Sequence, residues 1–275
     1  MTDRRLLPTN GRVAHVSLRG EVAAARFTEG DWARLRPPLT DLLARPDGPR
    51  DRQLLRGERV LVLERSGRHA FIQSGKDGYC GYVDEAALGP DHPVTHWVAA
   101  PATHLYATAT IKRREVASLS FGACLSITGE EGRFALTHDG LYVPRTHLNP
   151  VGVRMADPAA VAALFLGTPY LWGGNSRGGI DCSGLVQAAL LACGHQCPGD
   201  SDLQWRAVGQ RLDEGTPVRR GDLLFWKGHV AMAIDGDTMI HANAHAMAVA
   251  LEPILLAKDR IRAAEGDSWL GVRRP

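Results

Sequence analysis

No apolar run in this chain approaches the ~18 residues that a membrane-crossing helix needs, so no segment stands as a candidate span. No charge of one sign dominates either. Lys and Arg total 32 against 30 Asp and Glu, a net charge of +2, with 20 against 17 in residues 1–150 and 12 against 13 in residues 151–275. That balance leaves no basic stripe for nucleic acid and no patch suited to a charged membrane surface. Met1 to Val13 contains no apolar stretch of signal-peptide length, so the expected location is the cytoplasm, with export by another route left open. Disulfide scaffolding is missing as well. The five cysteines, Cys80, Cys124, Cys182, Cys193 and Cys197, are odd in number and lack a framework spacing, which fits free thiols in a reducing compartment.

What is present is an ordinary globular composition, 44% hydrophobic and 23% charged over 275 residues, enough for about two or three domains. Residues 1–35 show no clean period and read as an arm packing on the rest. Arg36-Pro37-Pro38 marks a boundary, after which short β-rich runs are broken by Gly, Asp and Pro. An internal repeat lies in that region. Gly57 to Phe71 aligns without gaps to Gly122 to Leu136, at an offset of 65, so that Val60, Val62 and Ala70 meet Leu125, Ile127 and Ala135. Gly67-Arg68 meets Gly132-Arg133. Further on, Tyr82-Val83 matches Tyr142-Val143, and Leu88-Gly89-Pro90 matches Leu148-Asn149-Pro150, with two extra residues around Tyr79-Cys80 in the first copy. Two small β-barrels in tandem, residues 36–92 and 93–152, are the economical reading. Their endings resemble bacterial SH3-like domains, frequent companions of cell-wall enzymes.

From residue 153 the texture changes to an α+β domain running to residue 275. Past Gly173-Gly174 and Gly178-Gly179, the residues Leu185, Val186, Ala189, Leu190 and Cys193 recur at helical spacing until Gly194. Asp181 is a natural N-cap and Cys182 the first helical residue. Unpaired N–H groups and the positive end of the helix dipole favour an anion there, which predicts a lowered thiol pKa and a nucleophilic thiolate.

A cysteine nucleophile needs a base and a group that orients the base. The candidates share one hairpin, with His229 opening the strand to Ile234 and His241 on the strand from Thr238 to Asn243. If Asp235-Gly236-Asp237 forms a three-residue loop, Ile234 pairs with Thr238 and His241 faces Ala231, which makes the two histidines diagonal neighbours on one face. A two-residue loop would put them on opposite faces.

Six motifs now stand in order: Tyr170-Leu-Trp172-Gly-Gly, Asp181-Cys182-Ser183-Gly184-Leu185, Pro198-x-x-Ser201-x-x-Gln204, Gly221-Asp222-Leu223, Gly228-His229-Val230 and Ile240-His241-Ala242. Together they resemble the NlpC-type cysteine peptidases, which have a papain-like fold and cut after γ-D-glutamate in peptidoglycan stem peptides. The resemblance implies Cys182 as nucleophile, His229 as base, and His241 as the residue orienting the His229 ring. It implies Tyr170 beside the oxyanion, and Trp172, Asp181, Ser183 and Ser201 along the substrate. Members with tandem SH3-like domains resemble enzymes acting on freed peptides with an N-terminal L-alanine, where a tyrosine of the first barrel helps hold the free amine. Tyr79 is the residue that would match. The diamino acid would be meso-diaminopimelate or lysine. Gly199 replaces the arginine often seen after the proline of the third motif, and Ala231 the glycine often following His-Val.

Competing readings are specific. Asp181 has two candidate tasks, helix cap and substrate contact, and Asn243 or His245 could replace His241 as orienting group. Cys193-x-x-x-Cys197 around His195 matches no common zinc spacing, and no cofactor or metal is expected. A non-catalytic wall-binding protein and an N-acetylmuramoyl-L-alanine amidase are the alternative functions. The intact Cys/His/His set opposes the first, and only the pocket separates the second.

Overall fold

The computed structural model describes residues 3–275, and the first two residues of the arm lie outside them. The chain divides into two compact units, the first ending at Val153 and the second running from Arg154 to Pro275.

In the first unit, a seven-stranded antiparallel sheet orders Arg50–Leu55, Leu39–Leu43, Cys80–Asp84, His69–Ser74, Arg59–Ser66, Asp31–Leu35 and Leu88–Pro90. Alternation builds its core: Ala33, Leu35, Leu42, Val60, Val62 and Ile72 point inward, while Asp31, Asp41 and Arg59 remain at the surface. Asp31–Leu35 departs from expectation. The sequence places these residues in the arm, yet they pair with the strand Arg59–Ser66 in the register Asp31↔Val62 to Arg34↔Arg59. Five residues with only Ala33 and Leu35 facing inward are too short to announce a period, and Pro37-Pro38 interrupts the sheet rather than preceding it. The rest of the arm contributes Val13, which packs with Leu61, Leu63, Phe71 and Cys80.

The repeat recurs element by element. In the first copy the strands Arg59–Ser66 and His69–Ser74 turn at Gly67 (φ 61°). In the second, Ile127–Glu131 and Phe134–Thr137 turn at Gly132 (φ 57°). Both copies then place a single 3-10 turn, Glu85–Ala87 or Arg145–His147, before the strand Leu88–Pro90 or Leu148–Pro150. The second copy forms a five-stranded and a three-stranded sheet around Val98, Leu105, Leu119, Leu125, Ala135 and Val143. Gly57 joins the two copies. It has φ 76°, its N–H donates to the Leu35 carbonyl at 2.8 Å, and a Cβ there would sit 2.1 Å from the Cys124 carbonyl oxygen.

In the second unit, a six-stranded antiparallel sheet runs in the order Gln210–Arg211, Trp269–Arg274, Leu223–Trp226, His229–Ala233, Thr238–Asn243 and Ala248–Pro253. Four helices accompany it: α1 (Pro158–Ala163), α2 (Cys182–Ala192), α3 (Ser201–Ala207) and α4 (Ile254–Glu265). Ile254, Ala257 and Ile261 of α4, at spacings of three and four, bury against Leu224, Trp226, Ala231, Ala233 and Met239. Helices α1 and α2 pack together, and α2 lies against the strand His229–Ala233. The C-terminal end of α2 closes in a Schellman turn. Gly194 (φ 85°) donates to the Leu191 carbonyl at 3.0 Å and His195 to that of Leu190 at 3.0 Å.

Substituting Gly57→Ala is expected to cost more than about 1 kcal/mol, because positive φ and a backbone clash act together. Urea denaturation of the full chain, compared with Gly67→Ala where a Cβ meets nothing within 4 Å, separates the clash from the φ penalty.

Candidate active site

The site begins with a helix cap. Asp181 accepts hydrogen bonds on one carboxylate oxygen from the Gly184 N–H at 2.6 Å and the Ser183 hydroxyl at 3.0 Å. Its other oxygen accepts from the Gly173 N–H at 2.9 Å. The carboxylate therefore ties the glycine loop to the first turn of α2 and holds Cys182 at the first helical position. Glycine is needed where these two strands of backbone meet, since a Cβ on Gly184 would lie 2.7 Å from the Gly174 carbonyl oxygen.

Cys182 is only 7% exposed. Burial, with the Asp181 carboxylate adding to it, pushes its thiol up to about 12 against the opposing pull of the Val230, Ser183 and Cys182 amides. The helix start alone predicts a lowered thiol pKa. Enclosure reverses that expectation, because removing a thiolate from water outweighs the dipole and the amide donors. The Val230 amide acts on the sulfur, which brings the start of the His229–Ala233 strand, with His229 the residue before Val230, against α2.

The hairpin has the register that brings the histidines together. Met232 pairs with Ile240 and Ala233 with Met239, and the Ile234 N–H donates to the Thr238 carbonyl at 2.8 Å, which leaves Asp235, Gly236 and Asp237 as the loop. His229 Nε2 and His241 Nδ1 are hydrogen-bonded at 2.8 Å. Burial, then the neighbouring His241 and Arg260, lowers the His229 pKa to about 3, and burial lowers that of the fully enclosed His241 to about 4. At rest the three groups are a neutral thiol and two neutral imidazoles.

Two partners of this line were not anticipated. His241 Nε2 lies 3.0 Å from Glu252 Oε2, and Arg260 of α4 donates to both Glu252 oxygens, at 2.8 and 2.7 Å. A usable signal existed for Glu252. His241 pairs with Ala250 on the next strand, so Glu252 is its diagonal neighbour by the rule that joined the histidines. Arg260 arrives from a helix and left no such signal. Of the alternative orienting groups, Asn243 accepts the Ala246 N–H at 2.7 Å, and His245 is exposed.

The remaining residues fall in different places. Tyr170 is half-buried, and its hydroxyl pKa is raised by burial and then by the nearness of Cys182 and Asp181. Trp172 is 71% exposed on the same loop. Ser183 is buried behind its bond to Asp181, and Ser201 opens α3 half-buried. Gln204, one turn further along α3, donates to the Ser183 and Pro198 carbonyls at 2.9 and 3.0 Å, which secures the first turn of α2 from behind. Tyr79 differs from expectation. Instead of being presented by its loop, it is 2% exposed in the core of the first unit, where the Arg52 guanidinium lies 5.3 Å from its ring centre and Asp77 pairs with that arginine at 3.1 Å. Among the described residues, no three His, Cys, Asp or Glu side chains are grouped to hold a metal ion.

The NlpC/P60 family profile matches residues 167–258, the span that carries the cysteine and both histidines. A gamma-D-glutamyl-L-lysine dipeptidyl-peptidase of Bacillus subtilis (strain 168) is 32% identical over 216 residues, covering 69% of this chain and 71% of that protein. The chain belongs to the NlpC/P60 family. It is a cysteine peptidase with an N-terminal bacterial SH3 domain, since residues 42–88 match the bacterial dipeptidyl-peptidase Sh3 domain. A second relative, the gamma-D-glutamyl-L-lysine dipeptidyl-peptidase of Bacillus cereus (strain ATCC 10987 / NRS 248), is 27% identical over 237 residues, covering 74% of this chain and 70% of that protein. The crystal structure of an NlpC/P60 family protein from Bacillus cereus ATCC 10987 shares the fold, with a TM-score of 0.74 at 22% identity, covering 89% of this chain and 99% of that one.

With His229 in the role of base that the sequence implies, its lowered pKa is expected to set the acid limit of activity. A base with a pKa of about 3 is unprotonated at pH 5, where an ordinary histidine of pKa ~6.5 is mostly charged. The kcat/KM profile is expected to hold down to pH 5 and to fall only below it. Stability moves in the opposite sense to protonation of the unfolded chain. Unfolded imidazoles take up protons below about pH 6.5 while the half-buried His229 and the enclosed His241 do not, so the melting temperature should decline as pH falls from 6.5 towards 4.

Proposed function

We propose that this NlpC/P60 cysteine peptidase hydrolyses the bond between γ-D-glutamate and an L-diamino acid, meso-diaminopimelate or lysine, in peptidoglycan stem peptides that begin with L-alanine. The observation that carries the chemistry is the buried Cys182 at the start of α2, with the Val230 amide at its sulfur and the His229–His241 pair bonded at 2.8 Å. The bond and the free amino terminus are supported by the two relatives named as gamma-D-glutamyl-L-lysine dipeptidyl-peptidases.

In this reading, the Cys182 thiol passes its proton to His229 as the sulfur attacks the γ-carbonyl carbon. Because both groups are neutral at rest, the transfer accompanies attack instead of preceding it. The oxyanion is met by backbone N–H groups at the helix start and by the Tyr170 hydroxyl, donors of a kind worth about 10²- to 10³-fold each in rate. Collapse expels the amine of the diamino acid, which takes the proton held on His229, and leaves a thioester on Cys182. Water, deprotonated by His229, then releases the L-Ala-D-Glu product. Asp181 and Ser183 shape the D-glutamate side of the pocket, Ser201 lies near it, and the exposed Trp172 offers an aromatic face to the peptide.

The test is product analysis by mass spectrometry with L-Ala-γ-D-Glu-L-Lys, its meso-diaminopimelate counterpart, and the N-acetylated form of each. Release of the diamino acid from the free-amine peptides, near-complete loss in Cys182→Ala, and at least tenfold slower cleavage after acetylation are expected. Undiminished cleavage by Cys182→Ala would sink the mechanism, and release of the intact stem peptide, beginning at L-alanine, from a muramoyl peptide as the main product would replace it with an amidase.

A further inference from the structure

We propose that Glu252, clamped by Arg260, sets the tautomers of both active-site histidines and so determines that Nδ1 of His229 is the nitrogen able to take the Cys182 proton. The reasoning rests on His229 being the base of the peptidase, and its steps follow from which atoms can donate. An ionised carboxylate only accepts hydrogen bonds. Glu252 Oε2, 3.0 Å from His241 Nε2, therefore requires a proton on that nitrogen. His241 is neutral, so its single ring proton is now placed, and its Nδ1 is an acceptor. His229 Nε2, 2.8 Å away, must then be the donor. His229 is neutral too, which leaves its Nδ1 with a free lone pair.

Without the carboxylate the line has no preferred direction. His241 can equally carry its proton on Nδ1 and donate towards His229, which puts the His229 proton on Nδ1 and blocks the base. Arg260 contributes by keeping Glu252 ionised: its two N–H bonds, at 2.8 and 2.7 Å, occupy both carboxylate oxygens and hold the carboxyl below its ordinary range. The other charged or titratable groups near the line are His245, which acts on His241 through space, and Asp181 and Tyr170 on the Cys182 side. Glu252 is the one carboxylate hydrogen-bonded to either histidine among the described residues. It touches neither sulfur nor substrate in this arrangement, and its role is that of a positioning residue acting through His241. The same donor order also supports the charged intermediate. When His229 takes the thiol proton, the positive ring faces an uninterrupted path of acceptors ending in a carboxylate.

The experiment uses the full chain labelled with 15N and long-range 1H–15N spectra that distinguish histidine tautomers at pH 7. In the wild type, both His229 and His241 are expected with the proton on Nε2. In Glu252→Leu, both rings should shift towards Nδ1–H, and kcat on L-Ala-γ-D-Glu-L-Lys should fall by about 10- to 100-fold with KM changed less than twofold. If Glu252→Leu does not fold, Arg260→Met decides. It keeps the carboxylate but frees its pKa to rise, so the Nε2–H tautomers should persist at pH 8, while the acid limb of kcat moves to higher pH than in the wild type. A His229 carrying its proton on Nδ1 in the wild type would overturn the proposal, as would wild-type tautomers and kcat in Glu252→Leu, or an unmoved acid limb in Arg260→Met. The spectra need no substrate. The expected tautomers in a protein that fails to cleave the peptide would support this proposal while defeating the substrate assignment.

Discussion

Burial of Cys182 and His241, with His229 half-buried between them, is the constraint around which the second unit is arranged. Burial raises the cost of every charge on the line they form, so the thiol keeps its proton and the imidazoles stay neutral. A neutral line has to be organised by the direction of its hydrogen bonds rather than by ion pairing. The surrounding structure serves that end. The Asp181 cap holds the sulfur at the helix start, Gln204 braces the turn from α3, and the three-residue hairpin loop brings one imidazole against the other.

The parts of this arrangement that were legible in the sequence are those governed by local periodicity. The N-cap at Asp181, the helix from Cys182 and its glycine end follow from spacing and capping chemistry, and the structure reproduces them to within a residue. The face shared by His229 and His241 followed from a period of two and a loop length, which the hairpin obeys. Glu252 obeys the same rule on the next strand, but the rule reaches it only once Ala248–Pro253 is recognised as a strand pairing with Thr238–Asn243. Arg260 depends on how α4 lies across the sheet, which no local pattern encodes.

The thiol illustrates a different limit. A helix start is written in the sequence, whereas enclosure is a property of everything packed around it, and here enclosure decides the sign of the shift. The same contrast appears in the first unit. Matching glycines at Gly67 and Gly132 revealed the repeat because positive φ is a local demand, while Asp31–Leu35 belongs to the first sheet only through pairing with residues about thirty and more than fifty positions away. Tyr79 was placed by its loop position and proved to be held by Arg52, a buried charge whose reach across the barrel no short motif conveys.

The enclosed thiol has one more consequence, for how long its sulfur survives unoxidised. Peroxide and disulfides attack thiolate, and susceptibility follows both ionisation and exposure. A sulfur that is 7% exposed and holds its proton presents little of either. Cys182 is therefore shielded from oxidation by the same packing that keeps its proton in place.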